Sequence, residues 1–222
     1  MRSENKRFVI DFGNGNAAFA VQLAGDIKSD EVAEVLGFDQ PKPTIFISGG
    51  AMDMDSDEML ATRPLIEEGL ARFVEENGVA VIDGGTHAGV MRLMGDARRR
   101  QNLQFPLIGV APLAKISYPG YENPRGMTLD TGHSHFVFTE GEKFGDESRM
   151  IAWLTNALSG DGLCPALGIV INGGNVTREE IHRLATSRRL KFPLLIVEGT
   201  GRFADNLAAV IRGMSSDDEE LH

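Results

Sequence analysis

Thr44-Ile45-Phe46-Ile47-Ser48-Gly49-Gly50 is a short β-branched, apolar run that stops on two glycines, and the same pattern returns three times along the chain. Val79-Ala80-Val81-Ile82-Asp83 stops on Gly84-Gly85. Leu167-Gly168-Ile169-Val170-Ile171-Asn172 stops on Gly173-Gly174, and Leu194-Leu195-Ile196-Val197-Glu198 on Gly199-Thr200-Gly201. Apolar runs without alternation predict strands buried on both faces, as in a parallel sheet. Leu107-Ile108-Gly109-Val110 and Phe136-Val137-Phe138 read as a fifth and a sixth strand. The segments between them carry helical stripes: Ile66, Leu70, Phe73 and Val74; Val90, Leu93, Met94 and Ala97; Met150, Trp153, Leu154, Ala157 and Leu158; Phe203, Leu207, Val210 and Ile211. Strand and helix in alternation, joined by right-handed crossovers, predict an α/β, Rossmann-like, doubly wound and mainly parallel sheet.

Outward from this core, residues 1–43 read as a preamble packed on it. Phe8 to Phe12 and Ala18 to Val21 flank Gly13-Asn14-Gly15-Asn16, which predicts a β-hairpin, and a short helix capped by Ser29 runs to Leu36 before Gly37. Residues 44–212 are expected to form the Rossmann-like core, whose glycine turns make it the candidate ligand-binding unit. Residues 213–222, with Asp217, Asp218, Glu219 and Glu220, are an acidic tail or the start of a linker.

Composition narrows the function classes. The 222 residues are 42% apolar and 24% charged, which excludes a disordered or collagen-like chain. No apolar run approaches the ~20 residues that cross a bilayer, so no direct membrane insertion is expected. Residues 1–10 are polar and unlike a signal peptide, and a single cysteine, Cys164, fits a reducing compartment; a cytoplasmic location is expected. Cys164 stands before Pro165 without a His/Asn grouping and is not read as a nucleophile. There are 22 basic against 32 acidic residues, a net charge of −10. Non-specific nucleic-acid binding needs clustered cations, so no nucleic-acid partner is expected. The one basic run, Arg98-Arg99-Arg100, reads as cations at a helix C-terminus.

Glycine carries the functional signal: 26 of 222 residues, against a usual share of about 7%. In an open parallel sheet the carboxyl ends of the strands share one edge, and ligands bind in the crevice there. Four glycine turns on that edge, each before a helix N-terminus, suit a phosphate-bearing ligand. None is the G-x-G-x-x-G fingerprint or a P-loop, which disfavours ordinary dinucleotide dehydrogenases and P-loop NTPases.

The blocks Ser48-Gly49-Gly50, Asp83 to Ala97, Ile108-Gly109-Val110-Ala111-Pro112, His133-Ser134-His135-Phe136, Ile171-Asn172-Gly173-Gly174 and Glu198 to Asp205 resemble the SLOG superfamily, in its TRPM-like (LSDAT, prokaryotic) branch. The resemblance spans about residues 44 to 212. It implies a Rossmann-like fold and a nucleotide-derived ligand, ADP-ribose or cyclic ADP-ribose among the candidates, with no further cofactor required. It also implies a sensor coupled to a fused or neighbouring effector or a membrane partner, in prokaryotic defence or stress signalling. A homodimer is left open.

In physical terms, Gly49, Gly50, Gly84, Gly85, Thr86, Gly89, Gly173, Gly174 and Thr177 are expected to line the phosphate edge, mostly through backbone N–H groups. Arg202, after Gly199-Thr200-Gly201, is the candidate for a bidentate phosphate contact, its alternative being a surface pair with Asp205. Asp83 and Glu198 end strands at the same edge, placed to accept ribose hydroxyls or to cap helices. His133 and His135 form an H-x-H pair whose rings would share one face of a strand. No third or fourth ligand stands near in sequence, so no metal site is expected. His135 is expected beside the glycine edge, as a ligand hydrogen-bonder or a structural one.

An enzymatic alternative comes from Asn172-Gly173-Gly174-Asn175-Val176-Thr177-Arg178-Glu179-Glu180, whose spacing resembles the Pro-Gly-Gly-x-Gly-Thr-x-x-Glu signature of the Lonely Guy phosphoribohydrolases. That resemblance implies N-glycosidic hydrolysis of nucleoside monophosphates, with Glu180 and Arg149 as catalytic residues. Asn172 and Val176 replace a proline and a glycine of the signature, and Met150 follows Arg149 where a lysine is usual.

Overall fold

The computed structural model describes residues 5–24, 28–51, 54–187 and 189–214, apart from the side chain of Ser29. The acidic residues 217–220 of the expected tail lie outside the described residues.

The strands are β1 (Lys6–Asp11), β2 (Ala17–Gln22), β3 (Thr44–Gly49), β4 (Ala80–Asp83), β5 (Leu107–Pro112), β6 (Ile116–Ser117), β7 (Met127–Thr128), β8 (His135–Thr139), β9 (Ala166–Ile171) and β10 (Leu194–Val197). The helices are α1 (Ser29–Val35), α2 (Ser56–Pro64), α3 (Ala71–Glu76), α4 (Gly89–Arg100), α5 (Ser148–Leu158), α6 (Asn175–Thr186) and α7 (Arg202–Ile211). Eight strands form one sheet in the order β1-β2-β8-β5-β4-β3-β9-β10, and every pairing except β1 with β2 is parallel. The protein is thus α/β with a Rossmann-like, mainly parallel sheet. The hairpin does not merely lie against that sheet: β2 pairs with β8, placing Phe19 opposite His135.

Both faces are covered, as the unbroken apolar runs require. Val32 and Leu36, with Ile151 and Leu154 of α5, Ile181 of α6 and Phe203 of α7, pack on the face that presents Phe46, Ile82, Ile108 and Val170. Ile66, Val74 of α3 and Val90, Leu93 and Met94 of α4 pack on the other, against Ile45, Ile47, Val81 and Ile169. The chain lays down β3, β4, β5 and β8 outward in one direction, then returns through α5 to place β9 on the other side of β3. The strand order therefore reverses between β3 and β9, which in a doubly wound sheet is where a crevice opens at the carboxyl edge.

Three local details differ from the sequence reading. Helix α1 begins at Ser29 itself, with Lys28 in the flanking cap position and Asp30 and Glu31 in the first turn, where their charge suits the helix dipole. Residues Leu65–Leu70 form a π-helical turn joining α2 to α3 directly after Pro64. The wider turn shifts the helical phase, so Ile66, Ala71 and Val74 are buried while Phe73, expected in the same stripe, is 53% exposed. At the end of α7, Ile211 is likewise 67% exposed.

Candidate functional site

The loops after β3, β4, β9 and β10, with the start of α5, meet at the carboxyl edge. A cavity of about 340 Å³ opens there, at the reversal point between β3 and β9. Ser48, Gly49, Gly50, Gly84, Thr86, Gly174, Thr177, Glu180 and Arg202 line it, joined by Glu147, Ser148, Phe144, Met127 and Met91.

Its outer polar end is built at the start of α6. Gly174 occupies the cap position, and a Cβ there would lie 2.8 Å from a guanidinium nitrogen of Arg202. The missing side chain is what lets that guanidinium lie on the loop backbone. Arg202 itself takes a positive φ of 52°, as does Asn172 at 55°. Hydrogen bonds hold both loops in this conformation: the Asn172 N–H donates to the Thr200 hydroxyl at 2.8 Å, the Asn172 side-chain amide donates to the Thr200 carbonyl at 2.6 Å, and the Gly173 N–H donates to the Asn172 side-chain oxygen at 2.7 Å.

Glu180 is buried on α6 at the inner end. The Ser48 hydroxyl donates to its carboxylate, and Ser148 bonds it as well. Burial raises the Glu180 pKa to about 7, the nearby Glu147 charge adds to that, and the two serines pull the other way. Glu147 stands just before α5 and accepts the Gly145 N–H at 2.7 Å. Burial raises its pKa to about 7 against the backbone hydrogen bonds. One cavity thus holds two carboxyls that exchange protons near neutrality.

The other expected site residues fall elsewhere. Asp83 is fully buried, accepting the Gly85 N–H at 2.7 Å and meeting His133 Nε2 at 2.8 Å. His133 Nδ1 meets Asp130 at 3.2 Å, and Asp130 in turn meets His87 at 2.8 Å. Burial alone would lower the His133 pKa. The Asp83 charge, hydrogen bonds to Asp130 and Asp83, and the Asp130 charge reverse this and raise it to about 9. Asp83 therefore serves a buried ion network rather than a ligand in the cavity.

His135, expected beside the glycine edge, sits at the amino end of β8, the opposite edge, against Phe38 at 5.1 Å and Phe19 at 6.5 Å. Burial lowers its pKa to about 4, aided by Arg98 and Lys42. The two histidine rings do not share a face either. The strand starts only at His135, so alternation does not reach His133, which stacks on Phe136. Among the described residues no group of three His, Cys, Asp or Glu is placed to hold a metal ion.

Gly85 packs inward, where a Cβ would meet Gly109 at 2.8 Å, and Gly89 seats α4 against the carbonyl of Gly50. Gly173 does not line the main cavity but a smaller cleft beside it, with Arg178 and Arg202. The turn at Gly199, Thr200 and Gly201 is occupied internally. The Gly199 N–H donates to Asp205, Thr200 bonds the Val197 carbonyl, and the N–H groups of Phe203 and Ala204 at the start of α7 donate to the carbonyls of Gly173 and Asn172. Glu198 pairs with Arg212. Arg149 stacks its guanidinium 3.9 Å from the centre of the Trp153 ring and is not among the cavity's lining residues.

Glu147, Ser48 and Ser148 were not singled out from sequence as site residues. Glu147 lies in Gly145-Asp146-Glu147-Ser148, which reads as a polar turn before an amphipathic helix, and nothing in its spacing marks it as buried.

A family model described as SLOG in TRPM, prokaryote, matches residues 42–221. Among curated proteins, transient receptor potential cation channel subfamily M member 2 of Mus musculus is 26% identical over 229 residues, covering 86% of this chain and 15% of its own length. Member 7 of the same subfamily from Homo sapiens is 26% identical over 240 residues, covering 91% of this chain and 13% of its own. The chain thus spans only a small part of the length of these channels. The X-ray structure of TM1055 superposes with a TM-score of 0.56 at 20% identity, covering 81% of this chain and 89% of that one, a likeness of fold.

Proposed function

The chain belongs to the family described as SLOG in TRPM, prokaryote, and from that premise we propose that it is a cytoplasmic sensor domain that binds a nucleotide-derived ligand, ADP-ribose or a cyclic relative, in the cavity at the carboxyl edge. The observation that carries this reading is the join between α6 and α7: Arg202 lies on the bare backbone of Gly174 at the mouth of a cavity lined by Gly49, Gly50, Gly84 and Thr177. A phosphate there meets a guanidinium and backbone donors at a helix start. Occupancy favours one arrangement of the glycine loops, and a fused or neighbouring effector reads the exposed face so altered. The curated relatives are by name cation channels that contain a region similar to this chain, which supports coupling to a larger partner.

The test is calorimetric titration with ADP-ribose, cyclic ADP-ribose isomers, NAD and AMP, followed by chromatography of each mixture. Saturable binding of an intact ligand is expected, weakened roughly tenfold or more in Arg202→Ala. No binding by any of them contradicts the proposal.

The Glu147 and Glu180 carboxyls favour a second reading, N-glycosidic hydrolysis of a nucleotide, because a carboxyl with a pKa near 7 suits general acid–base work. Arg149, stacked on Trp153, supplies no phosphate contact to that reaction in this arrangement. Release of free base, abolished in Glu180→Gln, would establish the hydrolase in place of the sensor.

A further inference from the structure

Gly174, Thr177 and Glu180 fall at i, i+3 and i+6 along α6 and all line the cavity, so they mark one helix face. At 1.5 Å per residue that face runs about 9 Å from the cap to Glu180. Its two ends have opposite character. At the cap stand the Arg202 guanidinium and the α6 N-terminus; at the far end stand two carboxyls, Glu180 on α6 and Glu147 before α5, whose hydrogen bonds go to Ser48, Ser148 and the Gly145 N–H. The cation acting on that end, Arg183, is held by Glu179 at 3.3 Å and by the Gly145 carbonyl at 3.4 Å. A ligand lying along this face is best matched by an anionic group at the guanidinium and helix-start end and, once the two carboxyls are ionised, by uncharged hydroxyl donors at the other. The span suits one ribose 5-phosphate unit with a hydrogen bond at each end.

We infer that Glu147 is a specificity-determining residue: with Glu180 it accepts the vicinal 2′- and 3′-hydroxyls of the ribose whose 5′-phosphate lies at Arg202, and it rejects any ligand phosphorylated on those hydroxyls. The inference rests on the nucleotide-site reading above and adds the orientation and the ligand class. A carboxylate accepts hydrogen bonds from free hydroxyls, whereas a phosphate placed against two carboxylates meets like charge in a desolvated pocket. Glu147 is the discriminating member because Glu180 is already bonded by Ser48 and Ser148, and its removal would disturb the floor of the cavity.

The experiment compares AMP with adenosine 2′,5′-bisphosphate and adenosine 3′,5′-bisphosphate at pH 8, with ADP-ribose alongside. Both bisphosphates are expected to bind roughly tenfold or more weakly than AMP. In Glu147→Gln that gap is expected to close to within about threefold, since a neutral amide no longer repels the added phosphate. A residue that only supports the fold would weaken all three ligands together and leave the gap intact. Bisphosphates that bind as tightly as AMP to the unaltered protein overturn the inference without recourse to the variant, as does a gap unchanged in folded Glu147→Gln. Binding of ADP-ribose without AMP overturns the inference and leaves the site reading standing; binding of neither overturns both.

Discussion

Glu180 and Glu147 hold their protons more tightly in the fold than in an unfolded chain, because burial penalises both carboxylates. A pKa raised from 4.5 to about 7 contributes stability that is fully present below about pH 4.5 and is lost as pH rises through 7. Glu180→Gln is therefore expected to melt higher than the unaltered chain at pH 8, by roughly 2–4 °C for each kcal/mol regained, with no such gain near pH 4.5. Calorimetric scans at the two pH values check this, and a lower melting temperature for the variant at pH 8 would contradict it. His133 is also a group with a raised pKa: its stabilisation is fully present below about pH 6.5 and is lost as pH rises through about 9. Its cation sits between two buried carboxylates, Asp83 and Asp130. His133→Leu is expected to cost about 3–5 kcal/mol in urea titrations at pH 7, because it leaves those charges uncompensated. A cost below about 1 kcal/mol would show that the network is not ionised as described.

At the scale of elements, the loops at the carboxyl edge are held by contacts that tolerate no added atoms. Gly89 has a φ of +50°, and a Cβ on it would lie 1.9 Å from the Gly50 carbonyl oxygen, the same oxygen that accepts the Val90 N–H at 3.0 Å. Gly89→Ala is expected to lose at least about 2 kcal/mol of stability and to disturb the loop at Gly49 and Gly50. Urea titration with a ligand titration alongside reads both effects, and an alanine variant as stable as the parent would contradict this close approach. The elements themselves were largely legible, since continuous apolar runs and 3.6-residue stripes answer directly to burial. The misses have local causes. Phe73 broke its stripe because the π-helical turn after Pro64 shifts the phase, and β6 and β7, of two residues each, are too short to carry a period. Glu147 was missed because its burial comes from the packing of α5 and α6 around the cavity, which no neighbouring residue announces.

At the scale of the molecule, the sheet order converts four separate glycine turns into one edge and puts the cavity at the β3–β9 reversal. That edge was legible as soon as the strands were, because parallel strands all end on the same side. What strand order and direction decide beyond that was not. His135 opens its strand instead of ending it and so lies at the opposite edge, and the last glycine turn is spent on joining α7 to the loop after β9. Among the described residues no helix is long and apolar enough to cross a membrane.

The most direct test of the nucleotide site is a crystal structure of the protein grown with ADP-ribose. A phosphate group is expected against Arg202 and the Gly174 backbone, with ribose hydroxyls directed at Glu147 and Glu180. Density for the ligand away from the β3–β9 reversal, or the reverse polarity with phosphate beside the two carboxyls, would contradict it.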